Sequence, residues 1–379
     1  MEIKLAYIVT EQGCMDPTTG AFQHISMGIR ELSNHAELVQ FLPSLPSRVK
    51  PNPLGQGQLS KATGFRNTTI WGSFRDLRDL ARNMRYGWRI ARQVKVSGCQ
   101  AAYVRVQCLQ PISIFLMLLG VKVFLEANGL QFQSRQSRFK SLFTRLYEPF
   151  ERFLYTKADH VFFVGSYGQY WKLPSNNWTE VENGIERKML QGRAQPPCVD
   201  KPFKIVLLAR LVAHHKGSLL VDAIKEASLS VQNSIELHLI GSGFDQIKSD
   251  LEDVVKVVDH GFVGRDEIGD LLRSMDIGVI PDCPPYGSQM KLLDYAAAGC
   301  VVLAPDVPHL VNFYTDQGVC FFEGGDARAL AVVISSIVSE RVDVEDQARL
   351  LQLHVAAHYT WEAIFRSKWN KMEALLAER

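Results

Sequence analysis

A short segment near residue 290 combines a polar turn with a helix-forming run. Ser288 is a favourable N-cap and Gly299 a favourable C-cap, so the spacing predicts a short helix between them. A strand-like run at residues 277–282 comes just before the turn, so the free amides of the first helical turn would lie at the carboxyl edge of a sheet, where they can bind a diphosphate. Asp294, inside the helix, could accept hydrogen bonds from ribose hydroxyls. An amphipathic helix with a solvated Asp294 explains the same pattern.

Two cations follow another strand-like run. Arg210 ends that run, and Lys216 comes after a short loop, just before a predicted helix. Because the carboxyl ends of parallel strands meet at one edge of a sheet, both side chains would point to the same edge as the turn near Ser288. Two cations beside helix amides neutralise a diphosphate and stabilise it as a leaving group. Taken singly, each is better explained as a surface charge.

The elements that must position these residues alternate along the whole chain. Apolar, β-branched runs of strand length are separated by longer segments of helical period, which is typical of parallel sheets covered by helices. In the first half these runs span residues 3–10, 36–42, 101–106, 121–127 and 160–165. In the second half they span residues 203–209, 235–241, 254–263, 277–282, 301–306 and 318–323. The pattern predicts an α/β fold with one doubly wound sheet in each half.

The length of 379 residues favours two domains. Residues 185–202, rich in Pro, Gly and charge, form the predicted linker. We therefore predict an N-terminal domain over residues 1–188 and a C-terminal domain over residues 200–360. A second polar stretch, residues 47–67, is predicted to be a long loop within the first domain.

Charge is divided unevenly between the halves. Residues 1–200 carry 25 Lys and Arg against 15 Asp and Glu, which is +10, so the remainder carries 17 against 25, which is −8, and the sum is the +2 of the whole chain. Basic residues recur every three or four positions over residues 75–95, and residues 135–157 mix basic with aromatic residues. These helices are predicted to face an anionic membrane surface rather than nucleic acid. A solvated helix face partly balanced by Asp76 and Asp79 remains the alternative.

The seven cysteines are scattered and odd in number, which favours free thiols over disulfides or a zinc site. No apolar run is long enough to cross a bilayer, and the N-terminus lacks the layout of a secretory signal. We therefore expect a cytoplasmic protein, with peripheral contact at the inner face of a membrane as the expectation from its basic helices.

Several motifs in a fixed order resemble the donor domain of glycosyltransferase family 4. They are Ala-Arg-Leu with Lys-Gly at 209–217, Leu-Ile-Gly-Ser-Gly at 239–243, Gly-Phe-Val-Gly at 261–264 and Lys-Leu-Leu-Asp-Tyr-Ala-Ala-Ala-Gly at 291–299. Further similarity lies in Val-Glu-Asn-Gly-Ile-Glu at 181–186 and Tyr-Thr-Trp-Glu at 359–362. The resemblance implies the GT-B fold, in which two Rossmann-like domains face a cleft. It also implies that the last helix, about residues 361–379, crosses back to the N-terminal domain.

The resemblance also implies site residues. The donor would be bound by Gly20, Arg210, Lys216, Gly243, Val263, Gly287, Ser288, Gln289, Met290 and Asp294. Within this set, Arg210 and Lys216 would hold the diphosphate and Asp294 would reach the ribose. Lys291 matches the lysine of a Lys-Leu-x-Glu-Tyr core found in one branch of the family, and that branch lacks the first of the two paired acids.

This chain departs from the family pattern at two positions. Tyr286 stands where most of the family has the first of two acids, eight positions before Asp294. After the strand at 121–127 the family often has a His, and this chain has Asn128 instead, with Glu126 placed to orient it. His24, on the first predicted helix, is the third candidate catalytic residue. A polar turn in which Asn128 serves only the backbone geometry is the alternative.

The activity implied is that of a retaining hexosyltransferase. It would transfer a sugar from a UDP- or GDP-sugar to a glycan or lipid-linked acceptor without a metal or other cofactor. Two alternatives stay open: a nucleotide-sugar binding protein that has lost turnover, and a sugar-nucleotide epimerase of the same fold. The base, the sugar and the acceptor are not predicted by the sequence.

Overall fold

The computed structural model describes residues 3–16, 19–43, 69–133, 141–174, 176–190, 202–211, 215–231, 234–340 and 344–378. The chain forms two compact units, Met1–Glu182 with Ile364–Arg379, and Asn183–Ala363. The division falls at the start of the predicted linker, six residues before the predicted end of the first domain, since 188 − 182 = 6. The predicted loop at 47–67 and residues 191–201 of the linker lie outside the described residues.

The first unit is built on a sheet of six parallel strands in the order β2-β1-β3-β4-β5-β6. The strands are β1 (Lys4–Ile8), β2 (Glu37–Phe41), β3 (Ala101–Arg105), β4 (Lys122–Ala127), β5 (His160–Val164) and β6 (Trp178–Val181). The helices before residue 183 are α1 (Gly20–Leu32), α2 (Thr69–Val96), α3 (Ile112–Leu118), α4 (Thr144–Lys157) and α5 (Tyr167–Trp171). The central strands are buried on both faces, which explains their continuous apolar runs.

The second unit contains another sheet of six parallel strands, in the order β12-β11-β10-β7-β8-β9. Its strands are β7 (Phe203–Arg210), β8 (Ile235–Ser242), β9 (Lys256–Asp259), β10 (Ile277–Val279), β11 (Val301–Pro305) and β12 (Val319–Phe322). The helices are α6 (Gly217–Ser230), α7 (Asp245–Leu251), α8 (Arg265–Arg273), α9 (Met290–Ala298), α10 (Pro308–Tyr314), α11 (Ala327–Glu340) and α12 (Val344–His358). A last helix, α13 (Trp361–Ala377), continues from residue 364 within the first unit.

Both faces of the second sheet are covered. Ile205 and Leu207 of β7 pack into a core shared with α6, α7 and α11, whereas Val206 packs into a separate core with α8, α9, α10 and α12. The alternation along β7 is the two-residue period of a strand. The doubly wound α/β architecture predicted for each half is therefore confirmed.

Eleven strands were predicted and one was missed. β6 is a four-residue strand at the edge of the first sheet, with the sequence Trp-Thr-Glu-Val. Its side chains are only half-buried apart from Val181, so the segment has no continuous apolar run. The predicted strand at 254–263 is shorter than expected, because only residues 256–259 pair with β8.

Each sheet has one topological switch point, where neighbouring strands are followed by helices on opposite faces. In the first sheet it lies between β1 and β3, and in the second between β7 and β10. Ligands of doubly wound sheets bind outside the carboxyl ends of the strands at these points. The two switch points are therefore where a functional site is expected.

Candidate functional site

Arg210 and Lys216 lie at the switch point of the second sheet. Arg210 is the last residue of β7 and is exposed. β7 pairs with β10 from Ile205 to Ile277, so the loops that follow both strands leave the same edge. The sequence prediction that Arg210 and Lys216 lie at the edge used by the turn before α9 is therefore met by the topology.

Lys216 is fixed by backbone geometry and by an ion pair. Its φ of 41° is left-handed, and it directly precedes α6 as the N-cap residue. Its Nζ lies 2.8 Å from Oδ2 of Asp282, which follows β10. This contact joins the loop after β7 to the loop after β10 and holds the ammonium at the switch point. Because α6 and α9 begin without a side-chain cap, the first-turn amides of both helices have no capping side-chain oxygen.

The turn at residues 287–289 leads into α9. The expectation that Ser288 is the N-cap was wrong, because α9 begins at Met290 and Gln289 is the N-cap residue, without a side-chain capping bond. The Ser288 hydroxyl instead accepts hydrogen bonds from the backbone N of Asn183 at 3.2 Å and from its Nδ2 at 2.7 Å. A tertiary contact thus replaces the local cap. Gly299 ends the helix with a φ of 78°, which confirms the predicted C-cap.

Asp294 is buried in α9 and faces a partner that the sequence did not predict. Its Oδ1 lies 2.7 Å from Nη1 of Arg265, the first residue of α8. Burial raises the pKa of Asp294, and the Arg265 charge opposes that rise. Val263 and Gly264 come just before Arg265, so the Gly-Phe-Val-Gly motif positions the guanidinium that holds Asp294.

Three glycines and a tyrosine shape the packing of β7, β8, β10 and α9. A Cβ on Gly241 would lie 2.0 Å from the carbonyl oxygen of Ala209, and Gly243 has a φ of 90°. A Cβ on Gly278 would lie 2.3 Å from the Tyr295 ring. Tyr295, in turn, accepts a hydrogen bond from the backbone N of Leu208 at 2.7 Å. The helix that carries Asp294 is therefore anchored to the sheet at the switch point.

The three candidate catalytic residues meet at the carboxyl end of the first sheet, where β4 lies beside the switch-point strand β3. Glu126 is the acceptor at their centre and is 0% exposed. Its Oε1 accepts from Asn128 Nδ2 at 2.9 Å, and its Oε2 lies 2.8 Å from His24 Nε2. The contact between Glu126 and Asn128 is the one that the sequence suggested.

Three further donors to Glu126 were not predicted. Arg105, at the end of β3, donates from Nη1 to Oε1 at 2.9 Å, and Tyr103 donates its hydroxyl to Oε2. Lys368 of α13 donates from Nζ to Oε2 at 2.8 Å and is itself 0% exposed. Five donors thus surround one buried carboxylate. Lys368 lies on the apolar stripe of α13 with Phe365 and Trp369, and a lysine on such a stripe was the available sequence signal.

Charge balance explains the protonation of this cluster. Burial alone would raise the pKa of Glu126, but the neighbouring His24, Lys368 and Arg105 outweigh burial and hold the pKa well below its usual range. Burial lowers the pKa of His24 although Glu126 opposes that shift. Glu126 is therefore ionised, and its charge is compensated chiefly by Lys368 and Arg105.

Gly20 belongs to the first unit and begins α1. Thr19 precedes it as the N-cap, and its hydroxyl oxygen accepts from the backbone N of Phe22 at 3.2 Å. Thr18 lies outside the described residues. The remaining predicted donor residues all belong to the second unit.

The long helix α2 presents cations and large apolar side chains to solvent together. Its exposed cations are Arg78, Arg82, Arg85, Arg89, Arg92 and Lys95. Its exposed apolar side chains include Ile70 (73%), Phe74 (61%), Leu77 (52%), Trp88 (44%) and Val96 (85%). Asp76, expected to balance the basic face, is instead buried, where it accepts the Tyr147 hydroxyl. Of the second basic segment, residues 135–140 lie outside the described residues.

Three further findings bear on the predictions. Within the described part of the chain, no group of three or more His, Cys, Asp or Glu is arranged to hold a metal ion. No described helix is long and apolar enough to cross a membrane. The six cysteines that fall in the described ranges are free thiols, as predicted, and Cys198 lies outside them.

Comparisons with known proteins give one family match and many structural ones. Residues 202–340, which contain the whole second sheet, match a family described as Glycosyl transferases group 1. A comparison with curated protein sequences finds no match.

Among solved structures, the chain is similar to a glycosyltransferase from Rickettsia africae, with 11% identity, a TM-score of 0.68 and 100% of both chains covered. It is similar to HepE from Anabaena in complex with UDP and glucose, with 11% identity, a TM-score of 0.70 and coverage of 98% of this chain and 100% of that chain. It is also similar to sucrose-phosphate synthase from Thermosynechococcus elongatus, with 16% identity, a TM-score of 0.70 and 100% of both chains covered. The fold is therefore GT-B, as the sequence resemblance implied.

Proposed function

We propose that this protein is a retaining, metal-independent glycosyltransferase that transfers a hexosyl-type sugar from a UDP- or GDP-sugar to a glycan or lipid-linked acceptor. The observation that carries the proposal is the ion pair of Lys216 with Asp282, which fixes an ammonium at the switch point where α9 begins without a side-chain cap. The family match over residues 202–340 supports a donor site in this unit. UDP is the first nucleotide to test, because the similar structure of HepE contains UDP.

The donor site supplies positive charge where negative charge develops. Arg210, Lys216 and the amides of residues 288–290 hold the diphosphate, and they stabilise it most as the bond to the sugar breaks. One carboxylate oxygen of Asp294 is held by Arg265, and the other accepts from a ribose hydroxyl. The side chain of Asp294 is one methylene shorter than that of the Glu in the family. The contact with Arg265 fixes the position of its carboxylate relative to the ribose.

The sugar transfer needs no side chain of the protein as a base. The bond between the anomeric carbon and the diphosphate oxygen breaks, and the electron pair leaves with the diphosphate. The acceptor hydroxyl oxygen forms the new bond on the same face of the sugar, and its proton passes to the departing phosphate oxygen. This route explains why a strong side-chain base is not required.

In the first unit, Asn128 is the group proposed to meet the acceptor, and His24, which is buried, is proposed to support it through Glu126. Glu126 has no exposed surface and is saturated with donors, so it acts as a positioning residue for both of them. Because Glu126 is ionised, it fixes the Asn128 amide with its nitrogen towards Oε1 and its oxygen away from it.

Peripheral membrane contact by α2 is part of the proposal. An anionic bilayer attracts arginines, and it also accepts the large apolar side chains that lie among them. One groove of about 440 Å³ on this helix is lined by Trp88, Arg89, Arg92 and Val96. The arginines would bind a phosphate head group there, and the apolar side chains would contact the acyl chains. A lipid-linked acceptor would then be delivered at the surface where the enzyme rests.

The first experiment is a thermal-shift and calorimetric screen of the full chain with UDP, GDP and ADP and with their sugars. Binding of one nucleoside diphosphate and release of that nucleotide from its sugar are expected. Product NMR tests retention of anomeric configuration, and assays with EDTA test metal independence. Absence of binding to every nucleotide would refute the donor assignment.

The same assays distinguish the proposed activity from the two alternative functions. A nucleotide-sugar binding protein would bind without releasing nucleotide. An epimerase would change the sugar without an acceptor, and it needs free acid and base groups. Glu126 already accepts hydrogen bonds from five donors, which disfavours Glu126 as the acid or base of an epimerase.

A further inference from the structure

Lys291, the second residue of α9, carries a buried amine without a partner. Its Nζ has no hydrogen-bond partner among the described residues and is shielded from solvent. In the described ranges several lysines pair with carboxylates, Lys216 and Lys368 among them, but Lys291 does not. The amine is therefore unsatisfied within this part of the chain.

A buried ammonium without hydrogen-bond acceptors destabilises the folded state unless a bound ligand supplies them. Burial lowers the pKa of Lys291 to about 8, and the nearby Cys283 opposes that shift. A buried ammonium normally has a carboxylate or several acceptors, because desolvation without them is costly. A group of this kind at the edge of a site marks a place where an anion binds.

The position of Lys291 links it to the proposed donor site. Burial raises the pKa of the Cys283 thiol to about 12, and the charge of Lys291 opposes that rise, so the amine lies near Cys283. The backbone N of Cys283 donates to Oδ1 of Asp282 at 2.9 Å, and Oδ2 of Asp282 holds Lys216. The two lysines thus approach the loop after β10 from α6 and from α9.

The neighbouring substitution changes the charge of the site in the same direction. Where the family has an acid, this chain has Tyr286, so one negative charge is missing near the turn. Lys291, five residues later, is the lysine that this chain shares with the branch of the family lacking that acid. The site is therefore more positive than the two-acid pattern of most of the family implies.

We propose that Lys291 is a third cation of the donor site and pairs with an anionic oxygen of the nucleotide sugar. The inference rests on the proposed function. The oxygen belongs either to the diphosphate or to a carboxylate on the transferred sugar, as in a uronic acid. Both supply the acceptor that the ammonium lacks, and the test separates them.

Isothermal titration of the full chain with UDP, UDP-glucose and UDP-glucuronic acid provides the test. Lys291→Met keeps the length and apolar stem and removes the charge, and Lys225→Met, at an exposed position on α6, is the matched control. Loss of a charge-assisted hydrogen bond is expected to weaken binding by roughly 10-fold or more. Lys225→Met should bind as the wild type does.

The pattern over the three ligands identifies the oxygen. Equal weakening for all three assigns it to the diphosphate, and weakening confined to UDP-glucuronic acid assigns it to the sugar carboxylate. Affinities within twofold of the wild type for all three would overturn the inference while leaving the proposed function standing. A wild-type protein that binds no nucleotide sugar overturns the proposed function and this inference with it. If Lys291→Met fails to fold, Lys291→Gln is measured against the same outcomes.

Discussion

Replacing Lys368 by methionine removes the buried ammonium that α13 supplies to Glu126. Lys368 Nζ lies 2.8 Å from Glu126 Oε2 and 3.0 Å from the Tyr103 hydroxyl oxygen. Methionine fills a similar volume and keeps the apolar stem near the Phe365 ring, where Nζ lies 4.4 Å from the ring centroid. The substitution therefore isolates the loss of charge and hydrogen bonds from the loss of packing.

The expected loss in the free energy of unfolding depends on how well the charge of Glu126 is still compensated in Lys368→Met. Breaking a buried ion pair by removing one partner costs about 3–5 kcal/mol, because the remaining charge is uncompensated. Arg105 still donates to Glu126 Oε1 at 2.9 Å, so we expect the lower end, about 3 kcal/mol. For a unit of this size that corresponds to a fall of about 6–12 °C in its Tm.

A double-mutant cycle separates the pair from its surroundings. Glu126→Gln alone leaves Lys368 and Arg105 as buried cations, so it is expected to destabilise about as much as Lys368→Met. With both changes the unpaired charges are fewer, and the coupling free energy should be about 2 kcal/mol or more. Lys371→Met, at an exposed position on the same helix, is the control, with an expected change within about 0.5 kcal/mol.

Hydrogen exchange measured on peptides from β4 and α13 is the appropriate assay, since the two units need not unfold together. The expected result is faster exchange in both elements of Lys368→Met, with unchanged exchange in the second unit. A cost below about 1 kcal/mol, or strictly additive single changes, would refute the reasoning that this pair is energetically coupled.

Three further predictions concern other parts of the molecule. Lys216→Ala should weaken UDP binding by about 10- to 100-fold by calorimetry, because it removes a fixed cation, whereas exposed Lys225→Ala should not. Burial, with the Lys371 charge adding to it, lowers the pKa of His160 from 6.5 to about 4. The unfolded chain therefore takes up this proton first, and the free energy of unfolding should fall by up to ~3 kcal/mol as the pH drops from 6.5 to 4. His160→Gln should remove that part of the pH dependence in urea unfolding, and an unchanged slope would contradict the assignment. Charge reversal of Arg85, Arg89 and Arg92 together should weaken binding to anionic vesicles by about 1 kcal/mol or more per arginine in co-sedimentation, with no change on neutral vesicles. Equal binding to both vesicle types by the wild type would exclude this surface.

The local sequence predicted most of the fold because the strands are central and apolar on both faces. β6 was missed because an edge strand of four residues has too few apolar positions to form a pattern. The predicted cap at Ser288 failed because its hydroxyl is used by Asn183, 105 residues away in the chain, and no local pattern reports such a contact.

The placement of candidate site residues was predictable where a motif is local and not where partners are distant. The position of Arg210 and Lys216 at the sheet edge could be predicted because each lies at the junction of a strand or loop with a helix. Arg265 and Lys368 were missed because their partners are remote, as for Lys368 and Glu126, which are 242 residues apart. Arg105 had the same signal as Arg210, a cation that ends a strand, and the rule could have been applied to both halves.

The contrast between two lysines in buried settings leads to a last prediction. Lys368 finds its carboxylate within the chain, whereas the Lys291 amine finds none among the described residues. The same substitution by methionine should therefore have opposite effects on the unliganded protein. Lys368→Met should lower stability, whereas Lys291→Met should raise it by about 1–3 kcal/mol, because the folded state no longer holds an ammonium whose pKa burial has lowered. Differential scanning of both variants without nucleotide measures the two signs directly. A destabilised Lys291→Met would mean that the amine is satisfied in the unliganded protein, and the argument for an anionic ligand at that position would lose its premise.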